Sequence, residues 1–492
     1  MEMAAASSPL SRSYTSSCAQ ISVVIPLGMR APGHAVPALS AEFADADLGD
    51  ERLNRRLGLL ADRVAERPQE SFPKALDDAE LEAAYRFFGN EQVSPEAILA
   101  PHFRQTALRA AGTSPVLVVH DTTQFEFGGE AKREGLGRLI RPGQGFFGHF
   151  SLAIGADGTR KPLGLLGLET VFRLDKAIGH KHWTRSQRRG ESDRWLRSVA
   201  AADALLDGKA KPIHVMDREA DSYALLAALC EANSRFVIRS FQDRVLVGEE
   251  QAGLRNAARA ARVTLKREVP LSPRPAIPGP KGKRHPARRY RIAKLSFAAT
   301  SVEVPRTGES RTAQSASLRL NIIHVFERHQ PRGQPAVEWF LLTNLPTTTA
   351  EEIAFAVDCY RGRWTIEEFF KALKTGCQYE RRQLESAHSL LNALAILAPV
   401  AWRLLLLRHL ARTDAKAPAT AALTPTQLEV LRAVAKKPLR QHPTAREAML
   451  AVAGLGGHLK SNGDPGWLVL GRGMHDLLLL ELGWRAREGS ER

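Results

Sequence analysis

The sequence predicts an α/β protein: a mixed sheet in the middle of the chain with helical domains before and after it. Three observations predict this. Short apolar runs such as PVLVVHDTT, KPIHVMD and SRFVIRS alternate with helical-period segments between about residues 114 and 345. Outside that stretch apolar residues recur at helical spacing. Between about 241 and 337 a β-like pattern is broken by the Pro/Gly-rich basic loop SPRPAIPGPKGKRHPARRYR, which reads as a β insertion.

Residues 1–41 are rich in Ser, Ala and Pro and lack a basic start followed by an apolar run, so they read as a disordered leader rather than a secretory signal. Residues 42–113 read as a small basic helical domain. DERLNRRLGLLADRVAE carries Arg52, Arg55, Arg56 and Arg63 alongside its apolar stripe, and DDAELEAAYRFFGN is a second helix. A third, SPEAILAPHFRQTALRAA, has Ser94 as N-cap and Pro95 at its first position. This format suits DNA binding and equally suits helix packing.

From Ser114 the pattern becomes β-like, and PVLVVHDTT ends in Asp121. FFGHFSLAIGADGT and RKPLGLLGLETV read as strands joined by a Gly-Ala-Asp-Gly turn. ESDRWLRSVAAADALLDG is a helix closed by Gly208. KPIHVMDREADSYALLAALCEA is a strand running into a helix, with Asp217 just past the strand. SRFVIRS and VEWFLLTNLP are further strands, and Thr349 with Glu352 forms a capping-box pattern for the helix leading to Tyr360. Residues 386–492 are helical. Within them LLNALAILAPVAWRLLLL is interrupted by Asn392, Pro399 and Arg403, so it reads as buried helices, not a membrane span.

Charge narrows the function classes. Lys and Arg number 69 against 53 Asp and Glu, a net charge of +16, which favours polyanionic partners, chiefly nucleic acid. Cys18, Cys230, Cys359 and Cys377 have no metal-like or disulfide-framework spacing, so a reducing compartment fits. No P-loop and no GxSxG in a strand–turn–helix setting support nucleotide hydrolysis or serine hydrolase chemistry. His120, His180, His182 and His214 are scattered, and GHKHW reads more readily as a polar loop than as a metal site.

The segment YRGRWTIEEFFKALK carries the densest chemistry. At about 100° per residue, with Tyr360 at zero, Arg363 falls near −60°, Glu367 near −20° and Lys374 near −40°. One carboxylate flanked by a phenol and two cations suits phosphate and metal handling, though an amphipathic surface helix with charge pairs has the same pattern. Glu368 falls outside the stripe. Asp121 and Asp217 each sit where a short apolar run gives out, and two such aspartates with a helix glutamate are what two-metal phosphoryl chemistry needs.

These residues resemble the cut-and-paste DDE transposases of the insertion-sequence-four family. The resemblance covers nearly everything after about residue 42 and rests on LGDERLNRR, AAYRFFGN, HDTT, MDREAD, RFVIRS, EWFLLTNLP, YRGRWTIEEFFKALKTG and a C-terminal AVAGLGG. The family signature is Tyr, two residues, Arg, three residues, Glu, six residues, Lys. It is met here by Tyr360, Arg363, Glu367 and Lys374.

The resemblance implies a ribonuclease-H-like catalytic domain over 114–385, a mixed five-stranded sheet with helices and an inserted β subdomain. In it Asp121, Asp217 and Glu367 would bind two Mg2+ or Mn2+ ions. Tyr360, Arg363 and Lys374 would hold phosphates of the transposon end. Arg239 would support a hairpin step, and Trp339 would stack on a flipped base. The implied reaction nicks one strand, forms and opens a DNA hairpin, then joins the 3′-hydroxyl to target DNA. The implied partners are double-stranded DNA, through the element's terminal inverted repeats and the target, and a second copy of the chain. The helices after Thr424 would form the homodimer contact. Arg52, Arg55 and Arg56 would touch the inverted repeat. The setting would be cytoplasmic and nucleoid-associated, with no membrane and no nucleotide cofactor. Two alternatives are a ribonuclease-H-like nuclease that cuts without joining and a non-catalytic DNA-binding inhibitor of transposition.

Overall fold

Helix starts at the N-terminal end are set by caps that the sequence supplies. Asp50 accepts the Arg52 N–H and begins α1 (Glu51–Glu66). After the single turn α2 (Phe72–Ala75), a capping box of Asp77 and Glu80 begins α3 (Asp78–Gly89), and Ser94 followed by Pro95 begins α4 (Pro95–Ala111). Leu57, Leu60, Phe87, Phe88, Ile98 and Leu99 from these helices are buried together. The computed structural model describes residues 39–490 except 69, 130–131, 140–142, 174–184, 249–252, 272–275, 279–283, 307–314, 415, 422 and 460–463. The described residues all belong to one unit, Ala35–Arg492.

Of the disordered leader expected over 1–41, residues 1–38 lie outside the described residues. Leu39–Phe43 is a 3-10 turn whose Leu39, Glu42 and Phe43 are buried. Glu42 accepts from Arg109 Nη1 at 2.8 Å and lies 2.7 Å from His102 Nδ1, so the turn is tied to α4.

The next strands are β1 (Val116–Phe127), β2 (Gly137–Arg138), β3 (Gln144–Gly155) and β4 (Pro162–Val171). Then come α5 (Arg185–Leu206), β5 (Pro212–Met216), α6 (Tyr223–Glu231) and β6 (Arg235–Arg239). β1 and β4 pair with β3 antiparallel, whereas β1 with β5 and β5 with β6 pair parallel. β4, β3, β1, β5 and β6 are successive neighbours, a mixed run within a larger sheet. β1, however, does not end at Asp121. It continues to Phe127 against β3, and what ends near Asp121 is its parallel pairing with β5, whose last residue is Met216.

The insertion is not a separate sheet. After α7 (Leu254–Ala260) come β7 (Val263–Leu271), the small hairpin β8 (Ile277–Pro278) and β9 (Arg284–His285), then β10 (Arg291–Pro305), β11 (Ser317–Glu327) and β12 (Glu338–Thr343). β12 pairs with β6, and β11, β10 and β7 follow in turn, making one ten-stranded sheet. The free edge of β6 is thereby satisfied, and the sheet ends at β7, a strand carrying Lys266, Glu268 and Pro270 on its exposed face.

α8 (Ala350–Gly362) begins at the Thr349–Glu352 capping box expected from sequence, and α9 (Trp364–Lys371) follows. Next are α10 (Ala387–Thr413), α11 (Pro425–Val434), α12 (Ala445–Leu455) and α13 (Trp467–Ser490). α10 is one helix running through Pro399. It is long and apolar enough to cross a membrane, but 83% of its most apolar window is buried inside the fold. Its Asn392 donates to the Phe88 and Val93 carbonyls and Trp402 donates to the Pro162 carbonyl, so it joins the N-terminal helices to the sheet.

Candidate active site

Strand register assembles the first part of the site. Val119 pairs with Val215, and Val215 with Val237. Two residues further along the chain from each come Asp121 on β1, Asp217 just past β5 and Arg239 at the end of β6, so the register brings the three to one end of these strands. Asp217 is extended and accepts the Glu219 N–H, capping the short 3-10 turn Arg218–Ala220. Its carboxylate lies close enough to Asp121 to act on that group's ionisation.

The glutamate arrives by a kinked helix. The uninterrupted helix read from YRGRWTIEEFFKALK is in fact three pieces. At Arg363 the turn tightens, with Arg363 N–H to the Tyr360 carbonyl and Ile366 N–H to the Arg363 carbonyl. At Ala372–Gly376 it widens into a π turn. The Arg363 guanidinium therefore faces β1. Its Nη1 donates to Asp121 Oδ2 at 2.5 Å and its Nη2 to Glu367 Oε1 at 3.1 Å. Residues 242 apart in the chain are thus joined through one side chain. Lys374 lies within that π turn. Lys374 donates to the Gln124 carbonyl, lies 3.3 Å from Glu380 and sits over the Phe125 ring. Glu368 turns away, as its angle predicts, to Lys371, Arg408 and Trp467 Nε1.

The electrostatics follow from this packing. Burial pushes the Asp121 carboxyl up to about 7; Arg363 opposes the rise, and Asp217 and Glu367 reinforce it. Burial works against the Arg363 charge, but Asp121, Tyr360 and Glu367 outweigh it and hold the guanidinium charged. Burial raises the Tyr360 phenol, opposed by Arg239, to which it hydrogen-bonds, and by Arg363. Trp339 is half-buried, its ring 5.6 Å from that of Tyr360 in an edge-on arrangement. Arg52 and Arg55 are exposed and Arg56 half-buried on α1, in the N-terminal helices rather than in this row.

Carboxylate oxygens are the donors that Mg2+ and Mn2+ prefer. Asp121, Asp217 and Glu367 fit such ions in chemistry and share one electrostatic environment. Among the described residues, however, no three His, Cys, Asp or Glu side chains are gathered tightly enough to enclose one. The Arg363 guanidinium lies between Asp121 and Glu367 and takes up the charge that a cation would.

Sequence reading missed a chain of buried polar groups behind the row. Ser151 Oγ lies 3.0 Å from His120 Nδ1, and His120 Nε2 lies 2.9 Å from His214 Nδ1. His214 Nε2 lies 3.0 Å from Asp203 Oδ1, and Ser234 donates to Asp203 Oδ2. Histidines that look scattered in sequence are neighbours on β1 and β5. The available signal was their place one residue before Asp121 and three before Asp217. His180 and His182 lie outside the described residues.

Two family models match. The transposase DNA-binding model covers residues 36–93, and the transposase DDE-domain model covers residues 178–402. The chain carries the DNA-binding and DDE domains of a transposase. The DDE match holds Asp217, Arg239, Trp339, Tyr360, Arg363, Glu367 and Lys374; Asp121 precedes it and is joined to the site by strand register and by Arg363. The DDE assignment implies metal-dependent DNA cleavage and transfer, and the mixed sheet is consistent with a ribonuclease-H-like fold. Among solved structures, the transposase is similar to a piggyBac transposase synaptic complex with hairpin DNA. Identity is 12%, over 76% of this chain and 72% of that chain, with a TM-score of 0.34. A likeness that distant carries no argument about mechanism.

Proposed function

We propose that the protein is a cut-and-paste DNA transposase of the insertion-sequence-four type, acting on the inverted-repeat ends of its own element through Asp121, Asp217 and Glu367. The observation that carries this reading is the link Asp121–Arg363–Glu367 beside Asp217 and Arg239, which unites the carboxylates with two cations suited to phosphate. Two Mg2+ or Mn2+ ions held by the three carboxylates would supply charge stabilisation at the attacking and departing oxygens. The chain's own groups do the rest. Tyr360, Arg363 and Lys374 hold backbone phosphates of the transposon end, and Arg239 supports the hairpin step. Trp339 offers a π face to an unstacked base, and the apolar packing behind Asp121 limits water. The basic helices around Arg52, Arg55 and Arg56 approach the repeat, and the C-terminal helices pair two copies of the chain.

The test uses oligonucleotides carrying the inverted repeats that flank the gene. Wild type should give nicks, hairpins and joined products with Mg2+ or Mn2+, and Glu367→Gln should bind the same DNA but give none of them. Cleavage by Glu367→Gln removes this glutamate from the mechanism; plain cuts without hairpins or joining favour a nuclease.

A further inference from the structure

The MDREAD motif contains a second aspartate, Asp221, that the carboxylate site does not use. Its side chain is fully buried and forms an ion pair with the buried Arg244, Nη1 to Oδ1 at 2.6 Å. Its other oxygen accepts the Phe241 N–H at 2.6 Å and the Gln242 N–H at 2.8 Å, with Ser240 Oγ at 3.4 Å. The Asp221 carbonyl accepts from Gln242 Nε2 and Arg244 Nη2, and Arg255 Nη2 donates to the Phe241 carbonyl at 2.8 Å. The backbone just past β6 is therefore held from several sides. A buried carboxylate and guanidinium are a costly way to fix a loop, so the conformation they fix matters.

What the clamp holds outward is apolar. Phe241 is 60% exposed although its backbone is fully engaged. It lies two residues beyond Arg239 in the Asp121–Asp217–Arg239 row. β6 pairs with β12 through Arg239↔Leu341, and the Ser240 N–H still donates to the Phe340 carbonyl at 2.8 Å. β6 ends at Arg239, and counting that register one residue past Ser240 brings Phe241 level with Trp339. A phenyl presented by a fixed loop at that level suits a nucleobase that has left its stack: every base has a π face, and the preformed loop adds little ordering cost.

We infer that Phe241 is a second base-contacting aromatic of this site, taking an unpaired nucleobase next to the one expected at Trp339, and that Asp221 with Arg244 is the positioning pair that presents it. The inference rests on the proposed DNA-transposase reading and adds a base-binding position to it.

The experiment measures binding of the full-length chain to two DNA duplexes of equal length at one salt concentration. One is fully paired, and one carries a single unpaired 2-aminopurine whose fluorescence reports stacking. Wild type should prefer the unpaired-base duplex. Phe241→Ala should reduce that preference by about five- to a hundredfold, while fully paired duplex binds as before. Phe241→Trp should keep both the preference and the fluorescence quench. Because Phe241 is exposed, its variants do not depend on core packing. Asp221→Asn, checked for folding by its thermal transition, should give an intermediate loss. An unchanged preference in Phe241→Ala, or no preference in wild type, overturns the inference and leaves the transposase reading standing. Failure of wild type to bind either duplex overturns the transposase reading itself.

Discussion

Replacing Glu42 by Gln should free the Leu39–Phe43 turn from α4. The Glu42 carboxylate is 8% exposed and meets Arg109 at 2.8 and 3.2 Å. The Leu165 N–H donates to His102 Nε2, so that nitrogen is an acceptor and Nδ1 carries the proton given to Glu42. Burial lowers the His102 pKa, so the imidazole is neutral at pH 7 and the opposing charge is that of Arg109. Burial alone would raise Glu42; His102 and Arg109 outweigh it and hold the carboxyl at about 2, against an ordinary 4.5. That lowering is worth up to about 3 kcal/mol, on the order of a hundredfold in a local opening equilibrium. The sign is that of a depressed acid: the contribution is complete above about 4.5 and disappears as pH falls through about 2.

Glutamine keeps the shape but brings an NH2 against either Arg109 or the His102 Nδ1–H. Hydrogen exchange reads the effect at the amides of Ser40 and Leu48, which are bonded to Asp62 and Asn54. At pH 7 their protection should fall by up to the order of a hundredfold in Glu42→Gln. In wild type, corrected for intrinsic rates, it should fall between about pH 4.5 and pH 2. Protection within about threefold of wild type in the variant, or no acid loss in wild type, would refute the reasoning.

Three further outcomes are expected. Asp121, held up to about 7, must lose its proton to bind a cation, so Mn2+ affinity measured between about pH 5.5 and 8 should climb by up to about tenfold per unit below 7 and flatten above it; a flat profile contradicts that assignment. The same raised pKa means the metal-free fold holds a proton that the unfolded chain loses, so this group's contribution to stability should decrease as pH rises from about 4 to about 7, read by denaturant titration. A Cβ at Gly473 would lie 1.7 Å from the Val452 carbonyl oxygen, so Gly473→Ala should separate α12 from α13 at a cost of about 3 kcal/mol, read by thermal unfolding and proteolysis near residue 460, whereas Gly454→Ala, with open space around it, should be neutral or slightly stabilising.

Caps, strand starts and the acidic residues were legible in the sequence because each is a local signal. Thr349 with Glu352 and Ser94 with Pro95 act within one turn, and the structure uses both as read. Register is not local. That Val119 faces Val215 depends on how two distant segments pair, so periodicity within either segment cannot place Asp121 beside Asp217. The kink at Arg363 and the π turn after Lys371 escaped because the angular projection assumes one uniform period. Arg363, at the first of these departures, bonds to Asp121 on β1, and Lys374, in the second, bonds to the Gln124 carbonyl. Asp221 was not singled out in the sequence, because only the fold shows that it meets a buried arginine.

The Arg363 contacts set a constraint on any phosphate role for this residue. Its two terminal nitrogens are engaged with Asp121 and Glu367, and its buried Nε has no partner. A guanidinium has five N–H groups in one rigid plane, so the two given to Asp121 and Glu367 leave three, and a DNA phosphate must meet them in that plane beside the carboxylates. Where a phosphate draws the guanidinium off one carboxylate, the release leaves oxygens free where cations are needed. Lysine at this position would keep the charge but not the two-sided bridge. The Arg363→Lys substitution should therefore weaken the coupling between DNA binding and metal binding more than it weakens either alone. That coupling is a ratio of Mn2+ affinities with and without DNA, and if the ratio is the same in the variant as in wild type, the bridge has no part in assembling the site.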